Sequence, residues 1–209
     1  GDCRCQGGPL VELWGVEEVM VPSSERRRPR IGASFVVDLD ASSADVGVKL
    51  CVMPSCLSIS EVNAGAIAKH NDIASGETRV MVNDFIQQVN GKSSVAGMLE
   101  ALNGKGRLAI GIHRPVPFRV VLDRRDEQQI AGCRLDAVPG HPIIHVSEIL
   151  GGAALQYNAT AAPDDQIKVH DCFIRVNDIS GDVEAMLRAF QDTKNKELVL
   201  TVVRPPGKA

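Results

Sequence analysis

Aromatic residues make up only 3% of this 209-residue chain: five Phe, one Trp and one Tyr. A core must therefore be built mostly from Val, Ile, Leu and Ala, which favours small sheets filled by β-branched side chains. No apolar run approaches the roughly 18–20 residues that a membrane-crossing helix needs. A surplus of one charge is also missing, since the net charge is −3. Segment 31–115 holds 8 acids against 7 bases and segment 116–209 holds 13 against 11. Neither half carries the basic footprint of a nucleic-acid binder. Six cysteines (Cys3, Cys5, Cys51, Cys56, Cys133 and Cys172) in a chain this long do not define a disulfide framework.

The signs of catalysis are missing too. There is no Gly-x-Ser-x-Gly nucleophile turn, and no phosphate-cradling glycine loop, because Gly104-Lys105-Gly106 reads as a turn before a strand. His70, His113, His141, His145 and His170 are scattered over unrelated positions, which predicts surface sites. His141 and His145 would stand about 13 Å apart along a strand, too far to share a metal. The spacings of Cys3-Arg4-Cys5 and Cys51-x4-Cys56 depart from common zinc knuckles, although a disulfide in either pair stays open. Cys133 and Cys172 lie at strand positions and read as core. The sequence predicts no catalytic residue, no metal and no cofactor.

What the chain does contain is itself, twice. Ser60 to Asn71 lines up with Ser147 to Asn158, and the register runs on to Val82-Asn83-Asp84 against Val169-His170-Asp171. Val89-Asn90 recurs as Val176-Asn177, Met98-Leu99 as Met186-Leu187, and Arg114-Pro115 as Arg204-Pro205. Upstream, Phe35 to Asp40 recurs as Phe118 to Asp123, and the offset drifts from 83 to 90 residues as loops change length. A unit of this size is too long for a solenoid repeat and suits a small autonomous domain.

Each unit reads as β-β-β-α-β-α-β. In the first, strands are predicted over Phe35–Leu39, Val48–Met53, Leu57–Val62, Phe85–Val89 and Leu108–His113. Helical turns fall over Ala64–His70, and a Ser94-capped helix over Val95–Leu102 with Met98, Leu99 and Leu102 on one face. Asn90-Gly91 is a tight-turn dipeptide. The second unit repeats the order with Phe118–Leu122, Cys133–Ala137, Ile143–Ile149, Gly152–Asn158, Phe173–Val176, Val183–Phe190 and Glu197–Val203. The fold class is mainly β with short helices (α+β). The boundaries are an N-terminal extension over 1–30, repeats over 31–115 and 116–205, and a tail over 206–209.

These residues resemble the PDZ family. Val62, Gly65 and Ala66, then Asp84, Ile86, Val89, Asn90 and Gly91, are similar to that family's pattern; so are Ile149, Gly152 and Ala153, then Asp171, Val176 and Asn177. The resemblance covers roughly residues 33–205 and implies two partly open β-barrels, each capped by two short helices. The shortened unit looks like divergent repeats of some algae and other protists.

PDZ domains add an extended peptide beside their second strand, and a loop before that strand holds a terminal carboxylate. The resemblance therefore implies a groove built on Gly47, Val48, Lys49 and Leu50 with Met98, and a second on Gly132, Cys133, Arg134 and Leu135 with Met186. Lys49 and Arg134 replace the family's second loop glycine. They read either as added charge for carboxylate capture or as solvent-facing residues on a drifted groove. No His stands at the start of the last helix, where many relatives that prefer Ser or Thr carry one.

Two segments remain. Leu10 to Val21 is densely apolar, and Leu13 and Trp14 in it suit a docking arm, either onto the repeats or onto a partner. Arg26, Arg27, Arg28 and Arg30 form a basic run, either a solvated linker or a contact for phosphate, lipid headgroups or an acidic partner. The joint of Val116-Pro117 is short, which predicts a fixed orientation between the repeats. The leading expectation is a non-catalytic scaffold or adaptor that binds extended or C-terminal segments of other proteins. The alternative is a structural accessory subunit packed onto a larger assembly through its arm and its repeat surfaces, a plastid membrane (photosynthetic) complex being one setting. The chain begins at Gly1 rather than Met, so its compartment is left open, the chloroplast included.

Overall fold

The computed structural model describes residues 32–125, 130–137 and 141–207. The first repeat contains β1 (Ala33–Asp40), β2 (Val48–Val52), β3 (Leu57–Val62), α1 (Ala66–Ile73), β4 (Phe85–Val89), α2 (Val95–Asn103) and β5 (Arg107–Arg114). The second contains β6 (Phe118–Asp123), β7 (Cys133–Ala137), β8 (Ile144–Ile149), α3 (Gly152–Thr160), β9 (Cys172–Val176), α4 (Val183–Gln191) and β10 (Glu197–Val203). Each repeat forms one antiparallel five-stranded sheet, in the orders β1-β5-β4-β3-β2 and β6-β10-β9-β8-β7. The architecture is α+β in duplicate. No helix of the described residues is long and apolar enough to cross a membrane.

Local chemistry explains the elements. Along β1, Val37 and Leu39 point inward while Ser34, Val36, Asp38 and Asp40 face water, the two-residue alternation of a half-buried strand. β4 ends where Asn90 and Gly91 take φ of 50° and 77°, left-handed values that Asn and Gly adopt at low cost. The Asn90 side chain then accepts the Ala109 N–H at 2.7 Å and ties the turn to β5. Ser94 caps α2 by accepting from Gly97 N–H at 3.2 Å, and Asp182 caps α4 by accepting from Ala185 N–H at 3.0 Å.

α1 has no side-chain cap; the β1–β2 loop does that work. Ala66 and Ile67 donate their N–H groups to the carbonyls of Asp45 and Val46 at 2.9 and 3.0 Å. Such docking needs two bare backbones, for a Cβ on Gly65 would lie 2.5 Å from the Gly47 Cα. The second repeat repeats the device, with Ala153 and Ala154 donating to Ile130 and Ala131.

Two separate apolar cores result. Leu57, Ile59, Ile67, Ile86, Met98 and Ile110 are central to the first, and Val120, Leu122, Ile144, Phe173, Met186 and Leu200 to the second. A third cluster joins the repeats: Met53, Cys56 and Phe85 of the first pack with Cys172 and Val203 of the second.

The expected surface placement holds for His170, whereas His70, His113, His141 and His145 are part-buried. His145 is half-buried at this seam, with Nε2 3.8 Å from Cys51 Sγ and Nδ1 3.7 Å from Cys172 Sγ. Cys172 comes from its own repeat but Cys51 from the other, a contact that no local pattern registers. Cys51, Cys56, Cys133 and Cys172 are free thiols. Cys172 serves the seam rather than the centre of its own repeat.

A duplicated ion pair ties the start of the fourth strand of each repeat to the end of the fifth. Arg114 Nε and Nη2 donate to the buried Asp84 carboxylate at 3.0 and 2.8 Å, and the guanidinium sits 5.2 Å over the Phe35 ring. Arg204 grips Asp171 at 2.7 and 2.9 Å and lies 5.3 Å over Phe118. The expected docking-arm residues Leu13, Trp14, Arg26, Arg27 and Arg28 lie outside the described residues.

Candidate peptide groove

β2 and β7 each have a strand neighbour on one side only, so their outer N–H and C=O groups face away from the sheet. Beside β2, a recess of about 320 Å³ opens between the strand and the second helix. Its walls include Val48 and Leu50 from β2, Leu99 and Leu102 from α2, and Ala41 and Val46 from the loop. At its head Gly47 takes φ of 81°, the left-handed region that glycine favours. An ion pair crosses the rim, Lys105 Nζ to Asp45 Oδ1 at 3.0 Å.

The expected groove residues divide in two. Gly47, Val48 and Leu50 line the recess, and Leu50 is half-buried against the first core. Met98 and Met186 are fully buried inside the cores, and Leu99 and Leu102 present the recess side of the short helix. In the second repeat Gly132 has φ of 83°, while Cys133 and Leu135 pack against their core together with Leu187. Burial pushes the Cys133 thiol up to about 11, which makes it a poor nucleophile at neutral pH.

Lys49 and Arg134, the bases at the second loop-glycine position, pair across to the next strand. Lys49 Nζ lies 2.9 Å from Glu61 Oε1, and Arg134 Nη1 contacts Glu148. Lys49 holds the Glu61 carboxyl below its usual range. Neither base needs a left-handed backbone, for both are absent from the positive-φ residues. The ladder shifts register just after each of them, where Ser60 Oγ and Ser147 Oγ donate to their carbonyls at 3.0 and 3.2 Å. Ala41, Val46 and Lys105 were not legible as lining residues from the sequence, because they come from loops of no distinctive pattern. Among the described residues no group of His, Cys, Asp and Glu is arranged to hold a metal ion.

Strand order, a helix between the third and fourth strands, and a second helix between the fourth and fifth that packs on the fourth make each repeat PDZ-like. No protein-family model and no curated protein matches the chain. Among solved structures, INAD PDZ45 in complex with the NG2 peptide aligns over 89% of this chain and 96% of that one, at 15% identity and a TM-score of 0.34. The complex of INAD PDZ45 and NORPA CC-PBM aligns over 86% and 94%, at 14% identity and a TM-score of 0.34. The fifth PDZ domain of InaD in 10 mM DTT aligns over 40% of this chain and 99% of its own, at 16% identity and 0.33. Likeness this distant adds no weight, and the assignment of the fold stands on this chain's own topology.

Proposed function

We propose that this chain is a protein-interaction module, with repeats over 31–115 and 116–205, that binds extended segments of partner proteins by strand addition. One observation carries the reading: the edge strand β2 runs beside an apolar recess whose far wall is α2. An extended segment laid along β2 pairs its backbone with the strand's outer N–H and C=O groups, and alternate side chains turn toward the recess. Main-chain pairing supplies affinity and the walls of Val48, Leu50, Leu99 and Leu102 supply selectivity. Binding of this kind needs no reacting side chain. The accessory-subunit alternative drew on the shortened last helix and the altered glycine loops as well as on the arm, which lies outside the described residues.

The test is a peptide array of free C-termini and internal segments, followed by titration of the hits on the intact chain. Hits with Kd near micromolar, about −8 kcal/mol, are expected, and Leu99→Glu should weaken them by tenfold or more. The reading fails if no peptide binds more tightly than millimolar, or if Leu99→Glu leaves the hits unchanged.

A further inference from the structure

We infer that the two repeats are not equivalent binders: the first receives a ligand side chain, and the second has its matching space filled by its own Arg124 and Phe190. This rests on the peptide-binding reading above and adds which repeat acts.

Ala41 and Arg124 occupy the same place in the fold. Asp40 and Asp123 end β1 and β6, and each carboxylate accepts the N–H two residues on, from Ser42 at 2.9 Å and from Arg125 at 3.0 Å. The residue between donates to the start of the last strand, Ala41 to the Gly106 carbonyl at 2.8 Å and Arg124 to the Lys196 carbonyl at 2.7 Å. In the first repeat this position is a single methyl group, and it lines the recess with Leu102 and Lys105.

In the second repeat the same position sends a long side chain across the gap. Arg124 is only 5% exposed. Its Nη1 donates to the Phe190 carbonyl at 3.0 Å, and Nη2 to those of Asp192 and Asn195 at 2.6 and 3.1 Å. These carbonyls belong to the end of α4 and the loop after it, the counterparts of the stretch that walls the recess in the first repeat. Negative partial charge at a helix C-terminus suits a cation, so the plug is held electrostatically. Desolvation lowers the Arg124 pKa from its ordinary value, yet guanidinium stays charged in proteins.

The helix adds a second filler. Four residues beyond the core methionine stands Leu102 in the first repeat and Phe190 in the second. Leu102 is half-buried, whereas Phe190 is 6% exposed, with its ring 6.0 Å from that of Phe173. Arg124 is not positioned as a receptor for a ligand's anion. Its two terminal nitrogens are engaged by the chain's own carbonyls, and Nε is sealed from solvent without a partner. In the first repeat the cation available to a ligand is Lys105, side chain 63% exposed and paired with an Asp45 that is 91% exposed. Exposed pairs of this kind exchange readily. The ligand that fits is an extended segment with an apolar side chain for the recess and a terminal carboxylate beside Lys105.

The test follows amide signals of the intact chain by two-dimensional NMR during titration with short peptides ending in Val or Leu, free and amidated. Shifts confined to Val48, Leu50, Leu99 and Lys105, one peptide per chain, are expected, with amidation costing at least fivefold. Ala41→Arg, which copies the plug into the first repeat, should weaken binding at least tenfold while circular dichroism is unchanged. Arg124→Ala with Phe190→Leu should open a second site; if that variant does not fold, Ala41→Arg still decides. Shifts at Cys133, Leu135 and Leu187 in the unaltered chain, or full binding by Ala41→Arg, overturn the inference alone. No shift in either repeat at millimolar peptide overturns this inference, and the peptide-binding reading falls with it when the array of free C-termini and internal segments also gives no hit.

Discussion

Replacing Asp84 by Ala tests whether the duplicated ion pair stabilises each repeat by tying its fourth strand to its fifth. The carboxylate is 2% exposed and receives three hydrogen bonds, two from Arg114 and one from the Met81 N–H at 2.8 Å. Removing one partner of a buried pair costs roughly 3–5 kcal/mol, because the other charge is left uncompensated. Here the lower end applies, since the Arg114 side chain keeps 19% exposure and the carbonyls of Glu77 and Arg79. A loss of about 3 kcal/mol is a large share of the 5–15 kcal/mol typical of a domain.

The assay is urea unfolding of the intact chain followed by circular dichroism. With a slope of about 2 kcal/mol per molar, the first-repeat transition should move down by roughly 1.5 M. Arg114→Met should cost at least as much, since it leaves the more deeply buried Asp84 carboxylate with the Met81 N–H but no cation, and Asp84→Ala with Arg114→Met should cost less than the two singles summed, by about 1–3 kcal/mol. A shift smaller than about 0.5 M for Asp84→Ala, or strict additivity in the double variant, would refute the account. Asp171→Ala should do the same to the second repeat through Arg204.

Two further outcomes concern the seam. Burial between Cys51 and Cys172 lowers the pKa of His145 below 6.5; Asp136 opposes the shift, and His141 and His170 reinforce it. His113 is lowered by burial too, with Asp84 opposing. The unfolded chain therefore binds protons first, so stability is full above about pH 6.5 and declines as pH falls through the lowered values. Thermal melts between about pH 7.5 and 5 should show that decline, and His145→Gln should flatten it; a slope unchanged in the variant rejects the role of His145. Burial also pushes Cys56 up to about 12, raises Cys51, and raises Cys172 well above the ordinary thiol value. Iodoacetamide mapped by mass spectrometry should label these three at least tenfold more slowly in the native than in the denatured chain, and equal rates would contradict the burial.

Much of the fold was legible because its signals are short-range and occur twice. Phe85–Val89 was bounded by the Asn90-Gly91 turn, and Ser94 by its capping chemistry, so both elements fall where the pattern puts them. The site was harder. A helix of nine residues carrying Met98, Leu99 and Leu102 on one face does not reveal which of them points to the core, and the structure turns Met98 inward and the leucines to the recess. The Asp84–Arg114 pair spans 30 residues, so spacing alone says nothing of it, although both members recur in the second copy. Ala41 against Arg124 is the informative mismatch. It lies one step past the aligned Asp40 and Asp123, and there the copies stop resembling each other. His145 needed the neighbouring repeat, which only three-dimensional packing supplies.

A strand left open for a guest is also open to copies of itself. Had the outer row of β2 and β7 been wholly apolar, chains at high concentration would stack edge to edge into aggregates. Each edge instead carries a salt-bridged base at its second residue, Lys49 with Glu61 and Arg134 with Glu148. Two such edges aligned against each other would bring like charges together and strand at least one of them away from water. A single peptide without a base at that register meets no such penalty. Lys49 and Arg134 thus disfavour edge-to-edge stacking of copies, which would keep the edge free for the peptide proposed above.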